Sequence, residues 1–348
     1  MSNENVYMDV SLGIIGMGFM GRTHLEAFSK IPGCRILAVA DRNPACLEAT
    51  AARDAGNLVV GREAASWDLE GVTRHDAAQD LIEDSRLDLV VVTTPTPTHI
   101  EIASSAVRAG RHVLVEKPVD LERSAILGLF DEASAAEVMV MPAHCMRFWP
   151  AWKWMRDAVR DRRYGACVKA SFLRCGPKPS WNADFYLDVS KSGDAIVDLH
   201  IHDTDFVMHC FGRPAAVRSS GSPRYLRTAY EFAEGPEVVA EGGWLDDDDA
   251  PFRMMAELVF ESGVLTFELG RDPEVVFTSS EGQRIPLPEA SRHGTGYDGQ
   301  ATAFIEAIRN GASTPPVSLR HAAETALVLA SEQESIRLDG AAVDIVSV

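Results

Sequence analysis

The sequence predicts an α/β chain in two parts, a doubly wound parallel sheet over residues 1–143 and an α+β domain over residues 144–348. Three observations carry that expectation. Short, almost wholly apolar runs alternate with helix-like stretches through the first part, as they do where strands are covered by helices on both faces. The rhythm then changes to consecutive strands joined by tight turns, which pair antiparallel. A chain of 348 residues also exceeds what one ordinary core holds.

In the first part the strands are expected at residues 10–15, 35–40, 87–93, 112–115 and 138–141, with crossover helices at 23–29, 44–53, 77–83, 99–109 and 121–136. Gly110 stands where the fourth of these helices should stop, because glycine enters the left-handed conformation of a helix end without penalty. Residues 54–71 are long for a connection in such a unit and read as a surface insertion around a short apolar stretch at 58–60. In the second part, helices are expected at 150–162 and near 195–211, and strands at 215–220, 237–244, 253–260 and 264–269. The turn Glu261-Ser262-Gly263 makes a hairpin of the last two strands, and helices at 300–309 and 319–338 close the chain.

Composition narrows the function. With 46% hydrophobic and 24% charged residues the chain reads as folded. A formal net charge of -18 repels phosphate backbones and anionic lipid, which argues against nucleic acid and membrane surfaces as partners. No stretch approaches the roughly 20 apolar residues of a membrane span, and the start does not resemble a cleaved leader, so a cytoplasmic protein is expected. The six cysteines, Cys34, Cys46, Cys145, Cys167, Cys175 and Cys210, are scattered without the close pairs of a structural zinc site and read as reduced thiols.

Gly16-Met17-Gly18-Phe19-Met20-Gly21 follows the first apolar strand directly and precedes a helical stretch. The first glycine permits a tight turn, the second lets backbone approach a pyrophosphate, and the third lets the helix pack closely while its N-terminus faces the anion. Asp41 ends the second strand, 20 residues after Gly21, where a carboxylate accepts hydrogen bonds from ribose hydroxyls. These features point to a Rossmann-type domain that binds a dinucleotide. Asp41 repels a 2′-phosphate and favours NAD, while Arg42 can attract one or stack on adenine, so NADP stays open.

Thr93-Thr94-Pro95 and Glu116-Lys117-Pro118 end two further parallel strands, at the edge where open α/β sheets bind ligands. An ammonium at Lys117 can stabilise an alkoxide; equally, it can pair with Glu116 on the surface. On a helix, Asp198, His202 and Asp205 fall at i, i+4 and i+7 on one face, with His200 pointing away. An imidazole beside a carboxylate is what a general base needs, although the same groups also suit a polar domain interface. No metal site is expected, because that face lacks a second histidine.

Trp181 is a pocket candidate because its loop precedes the Asp-His segment, whereas Trp149, Trp152 and Trp154 read as core or interface. Arg147, Arg174 and Lys178 offer cations to a substrate carboxylate. Residues 246–249 read as a solvated acidic loop rather than a calcium site, and His24 and His144 as structural.

Together these residues resemble the glucose-fructose oxidoreductase, inositol dehydrogenase and rhizopine-catabolism family, Gfo/Idh/MocA, over nearly the whole chain. The resemblance rests on the glycine fingerprint, Thr94, Pro95 and His99, Glu116-Lys117-Pro118, Arg147, and the spacing Asp198, His202, Asp205. It implies that Gly16, Gly18, Phe19, Met20, Gly21, Asp41, Arg42, Thr94, Pro95, His99, Glu116 and Lys117 serve the cofactor. It further implies that Lys117, Asp198 and His202 surround the reacting carbon, with His202 as acid or base and Lys117 polarising the oxygen. Arg147, Asp205 and Tyr297 would line or support the substrate pocket. The second domain would carry an open, largely antiparallel sheet through which two or four copies assemble. Ser192-Gly193-Asp194 replaces the family's usual glycine cluster before the Asp-His helix, and the insertion at 54–71 is atypical.

The expected activity is hydride exchange between a nicotinamide and a secondary hydroxyl or ketone of a sugar, polyol or inositol. Two alternatives share the motifs. In one, retained NAD takes and returns the hydride during elimination, isomerisation or glycoside cleavage; in the other, the chain is a non-enzymatic NAD-binding regulator.

Overall fold

The computed structural model describes residues 8–48, 69–180, 182–285, 287–288 and 294–346, and they fall into two compact units. Residues 8–48, 69–144 and 297–323 make the first unit, and the described residues of 145–296 and 324–346 the second.

The first unit is built on β1 (Val10–Ile15), whose six residues are all buried, as an apolar strand covered on both faces must be. α1 (Phe19–Ser29), β2 (Cys34–Ala40), β3 (Thr73–His75), α2 (Ala78–Ile82), β4 (Leu89–Val92), α3 (His99–Arg108), β5 (His112–Val115), α4 (Arg123–Ala135) and β6 (Val140–Pro142) follow. All pairings are parallel, and the spatial order is β3-β2-β1-β4-β5-β6. The order reverses between β1 and β4. Their carboxyl ends, Gly16 and Thr93 onward, therefore flank the crevice where doubly wound sheets bind ligands.

Two expectations fail here for local reasons. β3 is a three-residue polar edge strand with no apolar signal. Of the helix expected at 44–53, the described residues 44–48 form a single 3₁₀ turn, Pro44–Leu47, begun by the Asn43 side chain accepting from Ala45 N at 3.2 Å and by a proline suited to a first helical position, while 49–53 lie outside the described residues. The insertion expected at 54–71 lies outside the described residues up to 68.

The second unit contains α5 (Pro150–Arg160), β7 (Cys167–Pro177), the short α6 (Ala183–Tyr186) and α7 (Val189–Ser192), α8 (Asp194–Asp198) and α9 (Ile201–Phe211). β8 (Ala216–Ser222), β9 (Tyr225–Glu231), β10 (Glu237–Leu245), β11 (Arg253–Phe260), β12 (Gly263–Glu268), β13 (Val275–Ser279) and β14 (Arg284–Ile285) follow. α10 (Gly296–Arg309), which apart from Gly296 belongs to the first unit, is followed by α11 (Leu319–Arg337), which supplies residues to both units, and β15 (Val343–Asp344) of the second.

The sheet runs β14-β13-β12-β11-β7-β10-β9-β8-β15, antiparallel except where β10 lies parallel to β7. β7, the central strand, is absent from the sequence reading: its polar Lys169, Ser171 and Arg174 break any apolar run. One face is closed by Trp152 of α5, whose ring centroid lies 4.6 Å from Phe206 of α9 and 5.5 Å from Phe267 of β12. On the other face Leu173, Met255, Val259 and Val264 are only half-buried.

The helix expected near 195–211 is two helices. Leu199 N and His200 N both donate to Ala195 O, whereas His202 N donates to Leu199 O, so the regular four-residue spacing is lost at the joint. Asp198 ends one helix and His202 opens the next.

Candidate active site

In the first unit the glycine turn is shaped by contact. Gly16 has φ 95°, a left-handed conformation that an L side chain resists, and a Cβ there would stand 2.8 Å from the Thr93 backbone. At Gly21 a Cβ would lie 1.9 Å from Gly16 O, so helix and turn can touch only through a glycine. The Thr93 hydroxyl donates to Gly16 O at 2.6 Å and fixes the turn to the end of β4. At Gly18, by contrast, a Cβ would meet nothing within 4 Å. Gly18 is the N-cap of α1 without a capping side chain, and Gly18, Phe19 and Met20 are half-exposed. That open cradle at a helix N-terminus fits a pyrophosphate.

Asp41 Oδ2 accepts from Met17 N at 2.7 Å and Oδ1 from Asn43 N at 2.8 Å, which aims the carboxylate from the end of β2 while leaving lone pairs for hydroxyl donors. Arg42 is exposed beside it. Thr94 is half-buried and Pro95 exposed at the end of β4. His99 is 1% exposed; its Nε2 lies 2.6 Å from Thr94 O and its Nδ1 2.9 Å from Pro118 O. Burial pushes its pKa down, against the two carbonyl contacts, which favour the protonated ring. His99 thus joins the two strand-end turns rather than presenting a ring nitrogen to a ligand.

Glu116 is also turned inward. It meets His24 Nε2 at 2.8 Å and accepts from Lys117 N at 3.1 Å. Burial works against its charge, yet the His24 hydrogen bond and charge and the Lys117 ammonium outweigh it and hold the carboxyl below its ordinary range. The half-buried Tyr297 sets its ring edge against His24, centroids 6.2 Å apart. From Val113 to Val119 Lys117 is the one residue that is not buried, so its ammonium is the group this turn presents.

In the second unit every residue from Ser192 to Met208 is buried except Asp198 and His202. Asp205 does not accompany them: Arg147 Nε and Nη2 donate to its two oxygens at 2.9 and 2.7 Å, with side chains 8% and 1% exposed. Arg147 is therefore a clamp on α9. Arg174, considered as a receptor for a substrate carboxylate, is 2% exposed and donates to both oxygens of Asp203 at 2.9 and 3.0 Å, so its charge is spent inside. The pocket candidate Trp181 lies outside the described residues. Among the described residues no three His, Cys, Asp or Glu side chains group to hold a metal ion, and no helix is long and apolar enough to cross a membrane.

Sequence reasoning placed Thr93 at a strand end but missed its bond to Gly16, the His24–Glu116 contact and the partners that anchor Asp203 and Thr204 of α9. Their partners lie 77 and 92 positions apart, for Thr93 to Gly16 and for His24 to Glu116, and no local pattern marks them.

The family model described as the oxidoreductase family with an NAD-binding Rossmann fold matches residues 10–144, and the GFO/IDH/MocA C-terminal domain matches 152–267. The chain belongs to the Gfo/Idh/MocA family. Its first unit is the family's NAD-binding domain, and its second carries the separate, mostly antiparallel sheet. Inositol 2-dehydrogenase of Rhizobium meliloti (strain 1021) is 25% identical over 325 residues, covering 89% of this chain and 92% of the relative. Levoglucosan dehydrogenase in complex with NADH and levoglucosan shares the fold with a TM-score of 0.81 at 20% identity, over 97% of this chain and 99% of that one. A putative myo-inositol dehydrogenase from Sinorhizobium meliloti 1021 does so at 0.77 and 22%, over 97% and 100%.

Proposed function

We propose that this Gfo/Idh/MocA member is an NAD-dependent dehydrogenase that oxidises a secondary hydroxyl of a sugar, polyol or inositol, or reverses that reaction. The observation that carries the reading is the exposure of Asp198 and His202 alone from an otherwise buried segment of 17 residues, Ser192 to Met208. The segment buries the polar side chains of Asp203, Thr204 and Asp205 against partners in the core, which leaves Asp198 and His202 as the two half-buried ionisable groups that still reach solvent. The relatives named inositol 2-dehydrogenase and the fold shared with a levoglucosan dehydrogenase support the substrate class.

The residues that would hold NAD are Gly16, Gly18, Phe19, Met20 and Gly21 at the diphosphate and Asp41 at the ribose, with Arg42, Thr94 and Pro95 alongside. NAD, when bound, supplies the hydride acceptor. In this reading His202 accepts the hydroxyl proton and Asp198 orients the imidazole, as a carboxylate does beside a general base. Lys117, by the family resemblance, stabilises the negative charge that grows as the carbon is oxidised. Arg147 and Tyr297 support those groups. His99 and Glu116 shape the turns behind Lys117.

The test is a panel of inositols, polyols, aldoses and sugar acids assayed with NAD and NADP for nicotinamide absorbance. Lys117→Met and His202→Asn should each lower turnover on the best substrate by roughly 10²–10³ while leaving NAD affinity within a few-fold. Full turnover by Lys117→Met would remove the ammonium from the mechanism. We also propose that the sheet face carrying the half-buried Leu173, Met255, Val259 and Val264, with Ser171, Glu257 and Thr266 between them, is where copies of the chain associate, since those apolar side chains gain from being covered.

A further inference from the structure

The relative placement of Asp198 and His202 is not set by a continuous helix, because the irregular joint at Leu199 and His200 lies between them. Something outside the helix must hold the first turn of α9. The residues on either side of His202 point into the core and find partners there. Thr204 donates to Glu332 of α11 at 3.0 Å and lies 2.9 Å from the Tyr230 hydroxyl of β9. Tyr230 in turn lies 3.2 Å from His200 Nε2, which is 3.4 Å from the second Glu332 oxygen. His200 and Glu332 side chains are both 0% exposed, and the pattern closes on itself: His200, Tyr230, Thr204, Glu332.

We propose that Glu332, through the contacts of this buried ring, is a positioning residue that fixes His202 relative to Asp198. The groups facing it are His200, Asp203 and Thr204 of α9 and Tyr230 of β9, while Arg174 of β7 is bonded to Asp203. Burial pushes Glu332 up to about 8 and Asp203 adds to that, against the hydrogen bonds from Tyr230 and Thr204. Burial likewise pushes His200 down to about 4. Three of the ring's contacts are hydrogen bonds, and at the fourth, the 3.4 Å approach of His200 Nε2 to Glu332 Oε2, burial disfavours charge on both partners.

The sign of the pH dependence follows. A carboxyl raised above its ordinary value keeps a proton that the unfolded chain loses, so its stabilising effect is complete below the ordinary range near 4.5 and is lost as pH rises through about 8. An anion formed there lies buried beside Thr204 of α9, and the ring opens.

The experiment compares wild type with Glu332→Gln, which keeps an acceptor and a donor at every pH, and uses Glu332→Ala as the broken ring. Thermal melts of the NAD-free protein from pH 5 to 9 should show wild type losing stability with rising pH and Glu332→Gln not doing so. A merely structural acid would stop there. Positioning adds a second inflection near pH 8 to the His202 proton resonance in wild type, absent from Glu332→Gln. The kinetic arm rests on the dehydrogenase reading. There the ratio of kcat in Glu332→Gln to wild type, in which shared ionisations cancel, should rise about tenfold between pH 6.5 and 9. Superimposable His202 titrations in the two proteins, or a Glu332→Gln protein as damaged at pH 7 as Glu332→Ala, would overturn the proposal. Both of those readouts need no substrate, so failure to find one leaves them decisive.

Discussion

Replacing Asp205 with Asn is the sharpest probe of how the second unit holds its candidate catalytic helix. The change keeps the size of the side chain and one acceptor oxygen but removes the charge that Arg147 grips at 2.9 and 2.7 Å. What remains is a guanidinium only 8% exposed and without its counter-charge. Breaking a buried pair from one side costs about 3–5 kcal/mol, and the lower end applies because the Arg147 edge still reaches some solvent. For a unit of this size about 3 kcal/mol corresponds to a fall in Tm of roughly 6–12 °C. Five of the six tryptophans, Trp149, Trp152, Trp154, Trp181 and Trp244, belong to residues 145–296, so fluorescence-detected melts read the relevant unit. Replacing both partners with apolar residues of similar volume, Arg147→Met with Asp205→Leu, should recover most of the loss, since no charge is then stranded. An Asp205→Asn protein that melts within about 2 °C of wild type would refute the argument, because the pair would then contribute no more than a solvated surface contact.

The other expectations are narrower. Gly21→Ala should abolish NAD binding in calorimetry while the second unit folds normally, because its Cβ would collide with Gly16 O in backbone that cannot yield. Met255→Lys, on the half-buried sheet face, should shift sedimentation toward a smaller species if copies associate there. Unchanged sedimentation together with a wild-type species that is already monomeric would remove that interface. The Lys117→Met and Glu332→Gln comparisons described above test the chemistry and its support separately.

The cofactor end of this protein is legible from sequence because its physics is local. Glycines that must make a turn fall within six residues, and the strand that positions them is buried along its whole length. The same holds for Lys117, which a strand end and a proline bracket. The rest depends on long-range partners. Asp205 reads as one of three residues on a single helical face until Arg147 takes both of its oxygens, and Arg174 reads as a surface cation until Asp203 takes it inside. The break between α8 and α9 is equally invisible, since Leu199 and His200 are acceptable helix residues and only tertiary bonds at His200 and Thr204 make the irregular joint worthwhile. β7 escapes for a related reason. Its buried Arg174 is neutralised by another element, so a hydropathy pattern sees an interruption where the fold has its centre.

The double use of Asp41 bears on attempts to re-engineer this enzyme for a phosphorylated nicotinamide carrier. Removing the acid to make room for an extra phosphate also withdraws the acceptor that steadies Met17, and with it the loop that must greet the diphosphate. A single exchange would therefore weaken affinity for either carrier. A workable redesign has to bring in a neutral side chain able to receive the Met17 amide before it adds any cation for the new charge.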